Sequence, residues 1–384
     1  MVRLGVIGIG NVGQLHVGNL QSGKAGDCNL AAVADIDPGR LTPFRGIPVF
    51  PDARSLIRSG KVDAVIVSTP HYSHTPIAIE ALKAGLHVLV EKPLAVHKAD
   101  AEKMIAAHTN KKQVFALMLQ MRTDPFFLRI KRLIDEGELG EIQRTQWTIT
   151  DWFRTEAYYA SSGWRATWEG EGGGILVNQC PHNLDMFQWI CGMPVRVQAH
   201  CFFGKYHNIE VEDEVTAYLE YANGATGVLI TTTGEAPGTN RLEIAGDRGK
   251  IVYENNIITF TRNEIPARVF CRTSKGLWDT PPTWTIDIPA PNHGEQHMGI
   301  VRNFIKAIQE GEPLIAPGEE GIRQVELANA MLYSAWTGKT SQLPLDGRAY
   351  ERLLKRRIAE SRRRKAPRKK VVRVENPDMS KSFR

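Results

Sequence analysis

Six residues near the start of the chain constrain its fold more than any other stretch. Gly8-Ile9-Gly10-Asn11-Val12-Gly13 follows directly on the apolar run VRLGVIG and opens a segment of helical character. Such a turn needs glycine at each marked place: the first for a tight reversal, the second for close approach of phosphate to the backbone, the third for close helix–strand contact. The helix behind it presents unbonded N–H groups to an anion. With 34 glycines in the chain the motif alone is weak, so its surroundings decide.

Those surroundings agree. Further apolar runs, NLAAVAD, VDAVIVS, LHVLVE and QVFALM, lack polar alternation and read as parallel strands buried on both faces. Between them lie helix-length segments after Asn11, after Asp52, from Thr75 to Ala84 and from Lys98 to His108. Strand–helix alternation of this kind predicts a doubly wound parallel sheet over residues 1–121. Asp35 ends the second run, 22 residues beyond Gly13, where an acid accepts hydrogen bonds from adenosine ribose hydroxyls. A carboxylate there repels a 2′-phosphate, so NAD is expected in preference to NADP. Arg40 is the counter-signal, able to pair with that phosphate.

From residue 122 the texture changes. A helix over Phe126–Glu136, a strand run ending near Trp152, a helix over about Ile175–Cys191, and helices over Met298–Glu310 and Gly321–Trp336 are expected. Tight turns at Asn223-Gly224 and Asp247-Arg248-Gly249 join successive strands. Residues 122–348 therefore predict an α+β substrate-binding domain whose open antiparallel sheet is covered on one face by the apolar helix. Residues 349–384 read as a basic helix and an extended arm.

Charge places the partners. The 384 residues carry a net charge of +6, which taken whole invites nucleic acid. Fourteen basic and four acidic residues fall at 351–384, leaving 34 basic and 38 acidic residues in the first 350. The body is mildly acidic, so nucleic acid is not an expected partner. The basic arm is either a solvated tail or an arm reaching the acidic surface of a neighbouring subunit. No apolar run reaches the ~18–20 residues that span a bilayer, and the N-terminus lacks a signal-peptide cleavage site. Five scattered cysteines without a CxxC suggest neither disulfides nor zinc. A soluble protein in a reducing cytoplasm is the expectation.

Two constellations could carry chemistry. Ser68-Thr69-Pro70-His71-Tyr72-Ser73-His74 and Glu91-Lys92-Pro93 fall at the carboxyl ends of two predicted strands, where open α/β sheets bind ligands. A lysine there loses hydration, which lowers its pKa and suits it to polarise an oxygen. Downstream, Gly172-Gly173-Gly174 feeds the helix on which Asn178, His182 and Asp185 share one face at i, i+4 and i+7. A helical histidine is compatible with a packed core as well as with catalysis. Trp147, Trp152, Trp164 and Trp168, with Phe153, Tyr158, Tyr159, Arg154 and Arg165, suit the C–H face of a pyranose or cyclitol; about half are expected to be packing, Trp147 among them. The acidic cluster from His207 to Glu214 reads as an exposed strand edge and matches no metal signature.

Together the amino-terminal glycine motif, TPxxxH at Thr69–His74, AGxHVxxEKP at Ala84–Pro93, the GGG…H…D segment and SAWTGK at Ser334–Lys339 resemble the Gfo/Idh/MocA oxidoreductases. The resemblance implies a Rossmann domain followed by an open antiparallel sheet, with Lys92 and His182 as the catalytic pair. It also implies hydride transfer between a ring secondary alcohol of a sugar, glycoside or inositol and the nicotinamide of NAD. His182 would take the hydroxyl proton and Lys92 would steady the oxygen. Asn178 stands where many members carry Asp, and an amide cannot charge-pair with Lys92. The cofactor is expected on Gly8, Gly10, Asn11, Val12, Gly13, Asp35, Ser68, Thr69, Pro70, His71, His74, Glu91 and Lys92. The substrate is expected on Lys92, Gln120, Arg122, Trp152, Arg154, Tyr158, Trp164, Arg165, Asn178, His182 and Asp185. No metal is required, and a homo-oligomer, dimer or tetramer, is implied. A redox-neutral glycoside-cleaving or epimerising enzyme with tightly bound NAD, and a non-catalytic NAD- and sugar-binding regulator, are the alternatives.

Overall fold

The structure, a computed structural model, describes residues 1–363. The predicted apolar runs form β1 (Val2–Ile7), β2 (Cys28–Ala34), β4 (Ala64–Val67), β5 (His87–Val90) and β6 (Phe115–Leu117), joined by a short β3 (Val49–Phe50) too brief to register as a run. All pair in parallel in the order β3-β2-β1-β4-β5-β6. Helices α1 (Asn11–Gln21), α2 (Ala53–Ile57), α3 (His71–Lys83) and α4 (Lys98–Ala107) make the crossovers. The strand order reverses beside β1, between β1 and β4, and the glycine turn opens at that crevice.

The second sheet has nine strands: β7 (Ile142–Ile149), β8 (Arg196–Phe203), β9 (Glu212–Glu220), β10 (Thr226–Thr232), β11 (Asn240–Gly246), β12 (Gly249–Glu254), β13 (Ile257–Asn263), β14 (Thr283–Ile288) and β15 (Ser341–Gln342). The hairpin turns at Asn223-Gly224 and at 247–249 lie where expected. The sheet is mixed rather than purely antiparallel, because β7 inserts between β11 and β10 and runs parallel to β10. Helices α5 (Pro125–Asp135), α6 (Glu156–Ala160), α7 (Pro181–Cys191) and α8 (Ala267–Thr273) decorate it, with α9 (Gln296–Glu310), α10 (Gly321–Thr337) and α11 (Gly347–Arg363) closing the described chain. α7 and α10 cover the inner face. The outer face leaves Phe202, Tyr218 and Trp284 exposed.

Residues 1–121 do not close their own core. Ile300, Val301, Phe304 and Ile305 of α9, with Ala316 and Val325, pack into the apolar cluster of the parallel sheet. The link is also polar: Lys98 Nζ bonds Glu326 and the Leu345 carbonyl, both at 2.8 Å. At the end of the described residues α11 packs on α4 and α10, and Arg362 pairs with Glu169 of the same chain at 2.6 Å. The expected extended arm over 364–384 lies outside the described residues. Among the described residues, no helix is long and apolar enough to cross a membrane.

Candidate active site

The glycine turn has the expected geometry. Gly8 sits at φ +92°, its N–H bonds the Ala34 carbonyl at 2.8 Å, and its own carbonyl accepts from Ser68 Oγ at 2.8 Å. A Cβ on Gly13 would stand 1.9 Å from the Gly8 carbonyl oxygen, so no side chain fits there. A Cβ on Gly10 would meet only Arg40 Nη1, at 3.8 Å, which leaves the turn open on its outer side. Asp35 reaches the same turn, accepting from the Ile9 N–H at 2.6 Å and the Asp37 N–H at 2.8 Å, with Arg40 Nη1 at 3.5 Å. Asn11 and Val12 form the first turn of α1, which has no side-chain cap to compete with an anion for its N–H groups. Thr69 Oγ1, at the end of the neighbouring strand, is buried without a partner among the described residues. An open turn, uncapped N–H groups, a tethered acid and an orphaned hydroxyl fit a dinucleotide.

Lys92 leaves the end of β5, and its ammonium donates to the Asn178 backbone carbonyl at 2.6 Å. Burial pulls its pKa down to about 8; Glu91 and Glu171 oppose that fall, while Arg165 and Arg154 add to it. His182 lies in the first turn of α7, buried, and its Nδ1 has no partner among the described residues. Burial first, then Lys92 and His297, hold its pKa well below the ordinary 6.5. The imidazole is therefore neutral near pH 7, a base in its ready form.

Asn178 is not in phase with His182, which corrects the expected helix over Ile175–Cys191. The segment 173–180 winds as irregular turns because β9 captures its backbone. The Glu212 carbonyl accepts from Ile175 N–H at 3.0 Å, and the Glu212 carboxyl accepts from Gly174 and Leu176 N–H at 2.8 and 3.1 Å. Only from Pro181 does the helix run freely. Asn178 therefore meets Lys92 through its carbonyl, and its side-chain amide donates to Glu171 and, at 3.3 Å, to Tyr158 Oη.

The aromatic segment encloses this group. Arg165 donates to Tyr158 Oη at 2.8 Å and lies over the rings of Tyr158 and Trp164 at 4.6 and 4.8 Å. Arg154 lies over Trp152 and Tyr158, each at 5.2 Å, and Trp152 Nε1 bonds Asn183 at 3.3 Å. Gln120 is buried with Oε1 unpartnered among the described residues. Trp147, Tyr159 and Trp168 are core, Trp147 as expected, which is a third of the group where about half was expected.

Several expected site residues do other work. Arg122 and Asp185, both fully buried, form a two-bonded pair at 2.8 Å, and Arg122 also bonds Glu320 at 2.5 Å. This clamp ties the single helical turn Gln120–Thr123 to α7 and removes both residues from the substrate set. His74 lies 2.8 Å from the carbonyls of Thr69 and Pro93, and His71 lies 3.2 Å from the Glu171 carbonyl. The His74 ring staples together the chain just beyond β4 and β5, and the His71 ring ties the start of α3 to the loop at Glu171, rather than facing a cofactor. Glu91 shares a 2.7 Å bond with the buried His16 and accepts from the Lys92 N–H, so it supports the lysine from behind. Pro70 caps α3. The 207–214 cluster is not an exposed strand edge: His207, Glu212 and Asp213 are buried, β9 lies between β10 and β8, and Asp213 accepts three backbone N–H groups, of Lys205, Tyr206 and His207. Among the described residues, no group of three His, Cys, Asp or Glu is placed to hold a metal ion.

The family models match on both sides of this site. Residues 2–119 match the oxidoreductase family with an NAD-binding Rossmann fold, and residues 127–252 match the GFO/IDH/MocA C-terminal domain. The chain belongs to the Gfo/Idh/MocA oxidoreductases. This Gfo/Idh/MocA chain is 26% identical over 332 residues to the myo-inositol 2-dehydrogenase of Thermotoga maritima, covering 83% of this chain and 92% of that one. It is 28% identical to the levoglucosan dehydrogenase of Pseudarthrobacter phenanthrenivorans, over 74% of this chain and 80% of the relative. Its structure matches that of the WlbA dehydrogenase of Bordetella pertussis, in complex with NADH and UDP-GlcNAcA, with a TM-score of 0.75 at 26% identity, covering 90% and 99% of the two chains. As an oxidoreductase of this family it carries the NAD-binding fold. Three of its buried site groups gave no signal in the sequence. Glu171 is one acid among glycines, and His16 and His297, whose rings meet at 6.1 Å, come from helices almost 300 residues apart.

Proposed function

We propose that the protein is an NAD-dependent dehydrogenase that oxidises a ring secondary alcohol of a sugar, glycoside or inositol. The observation that carries this is the pairing of a half-buried, pKa-lowered Lys92 with a buried neutral His182, at the carboxyl end of the parallel sheet and beside an open glycine turn. When bound on Gly8, Gly10, Asn11, Val12, Gly13 and Asp35, NAD supplies the hydride acceptor. His182, a neutral imidazole in the first turn of α7, accepts the hydroxyl proton. Lys92, held by the Asn178 carbonyl, steadies the negative charge developing on the same oxygen. The walls of Trp152, Tyr158 and Trp164 suit the apolar face of a ring, and Arg154 and Arg165, fixed over those walls, present hydrogen-bond donors to its hydroxyls.

Inositol and levoglucosan appear in the names of relatives, which makes cyclitols, anhydrosugars and pyranosides the panel to assay. NADH formation at 340 nm across that panel tests the proposal. Product without NADH accumulation would transfer the assignment to a redox-neutral reaction. Lys92→Met and His182→Ala are each expected to lower kcat by at least about 10²-fold with NADH binding kept; near-wild-type turnover in both would end it. The exposed Phe202, Tyr218 and Trp284 support a homo-oligomer built through the outer sheet face, a mass measurable by light scattering.

A further inference from the structure

One buried carboxyl at the site has no task in the reaction just described. Glu171, almost wholly buried, accepts from the Ala166 N–H through Oε2 at 2.6 Å and from the Asn178 side-chain amide through Oε1. Both oxygens accept, which is the pattern of the ionised form. Arg165 stands back at 3.8 Å, so the acid is not spent on a close ion pair. Asn178 faces both ways: its amide holds the acid, and its carbonyl holds the Lys92 ammonium at 2.6 Å. A single residue therefore links a buried anion to a half-buried cation without the two touching.

We propose that Glu171 is a positioning residue of the hydride-transfer site, locking Asn178 so that its carbonyl receives Lys92 while its own charge favours the ammonium form. This rests on reading Lys92 as the group that steadies the substrate oxygen. Glu91 and Glu171 both favour the ammonium, Glu91 the more strongly, but of the charged groups facing Lys92 Glu171 alone is bonded to Asn178. Glu91 is bonded instead to His16 and to the Lys92 N–H. Arg165 and Arg154 oppose the ammonium. Burial lowers the pKa values of His71, His74, His182 and His297, so these rings add no cation near neutral pH, and it raises the Cys180 thiol to about 12, so that group adds no anion. Glu171 is itself faced by Glu212 from β9 and Tyr159 from α6. Burial raises its pKa, and Arg165, the Ala166 N–H, Asn178 and Lys92 pull it back.

The test titrates Lys92 directly in the full-length protein, from the ¹³Cε shift of its side chain, in wild type, E171Q and N178A. E171Q keeps an oxygen for the Asn178 amide and removes the charge; its Lys92 pKa is expected to fall by about one unit, and the alkaline limb of kcat to fall with it. N178A keeps the charge and removes the lock; its Lys92 titration is expected to stay near wild type while kcat drops about tenfold. An unmoved Lys92 titration in E171Q, or equal shifts in both variants, overturns the proposal. E171D, charged on a shorter arm, covers a failure of E171Q to fold: it should titrate as wild type, and a fall of about one unit in E171D overturns the proposal too. The titration needs no substrate, so a protein inactive across the sugar panel would defeat the functional reading and leave this result to stand or fall alone.

Discussion

Gly13→Ala is the sharpest test of the glycine turn, because the helix supplies its own control. Gly13 has an ordinary helical backbone, so alanine meets no conformational penalty there. The new methyl would sit 1.9 Å from the Gly8 carbonyl oxygen and 2.9 Å from its carbon, with Ser68 Oγ at 3.1 Å. Restoring ordinary contact demands that α1 and the turn part by about 1 Å in a close-packed region. Overpacking of this kind costs about 1–3 kcal/mol of stability. The same displacement moves the N–H groups that face the phosphates, so NADH affinity should fall at least about tenfold, or ~1.4 kcal/mol. Gly18, one and a half turns further along α1, is exposed and has nothing within 4 Å of a built Cβ. Gly18→Ala should stabilise by about 0.5–1 kcal/mol and leave binding alone. Urea unfolding and NADH fluorescence titration read both numbers. If Gly13→Ala binds NADH within threefold of wild type and unfolds at the same urea concentration, the turn is not the packed cradle described here.

Three other outcomes follow from buried charge. Asp185→Asn leaves the Arg122 guanidinium in the interior with Glu320 as its remaining ion-pair partner among the described residues, beside the Ile315 carbonyl, and should cost about 3–5 kcal/mol in urea unfolding, while the double variant Arg122→Met/Asp185→Leu should cost clearly less. His71 and His182 have folded pKa values well below 6.5, and His297 is lowered to about 4. The unfolded chain therefore binds protons that these three refuse, so their stability is present above pH 6.5 and is lost as pH falls below it. At pH 5.5 the loss should be about 1.4 kcal/mol for each; a urea midpoint that is flat from pH 7.5 to 5.5 would contradict their burial as neutral rings. Lys92 near 8 predicts that kcat declines on the alkaline side of about pH 8, and a Lys92→Arg variant, charged at any pH, should flatten that limb while lowering the plateau.

What could be read in the sequence, and what could not, divides by range. The parallel strands showed as apolar runs because both faces are buried, and Gly8, Gly13 and Asp35 showed because backbone geometry leaves little choice of residue there. Lys92 and His182 were legible as family landmarks. The onset of α7 was misjudged because Glu212, more than thirty residues away, takes the backbone groups that a helix from Ile175 would have used. Arg122 and Asp185 looked like pocket residues because polar groups on an apolar face suggest function, and only the fold reveals that they face each other. Glu171 was invisible for the opposite reason: a lone acid in a glycine-rich loop has no periodic partner to announce its burial. The β7–β10 pairing escaped because strand order is decided by packing, not by spacing along the chain.

The docking of α9 into the parallel sheet governs how the molecule can be made. A ribosome that has released residues 1–121 has delivered six strands and four helices with a hole where Ile300, Val301, Phe304 and Ile305 belong. The nucleotide half must wait for some 180 further residues before its last wall arrives. A fragment cut at 121 should be insoluble, and the same fragment co-expressed with 122–384 should be rescued. The order of genes, deletions and tags that this enzyme tolerates is set by that late-arriving helix.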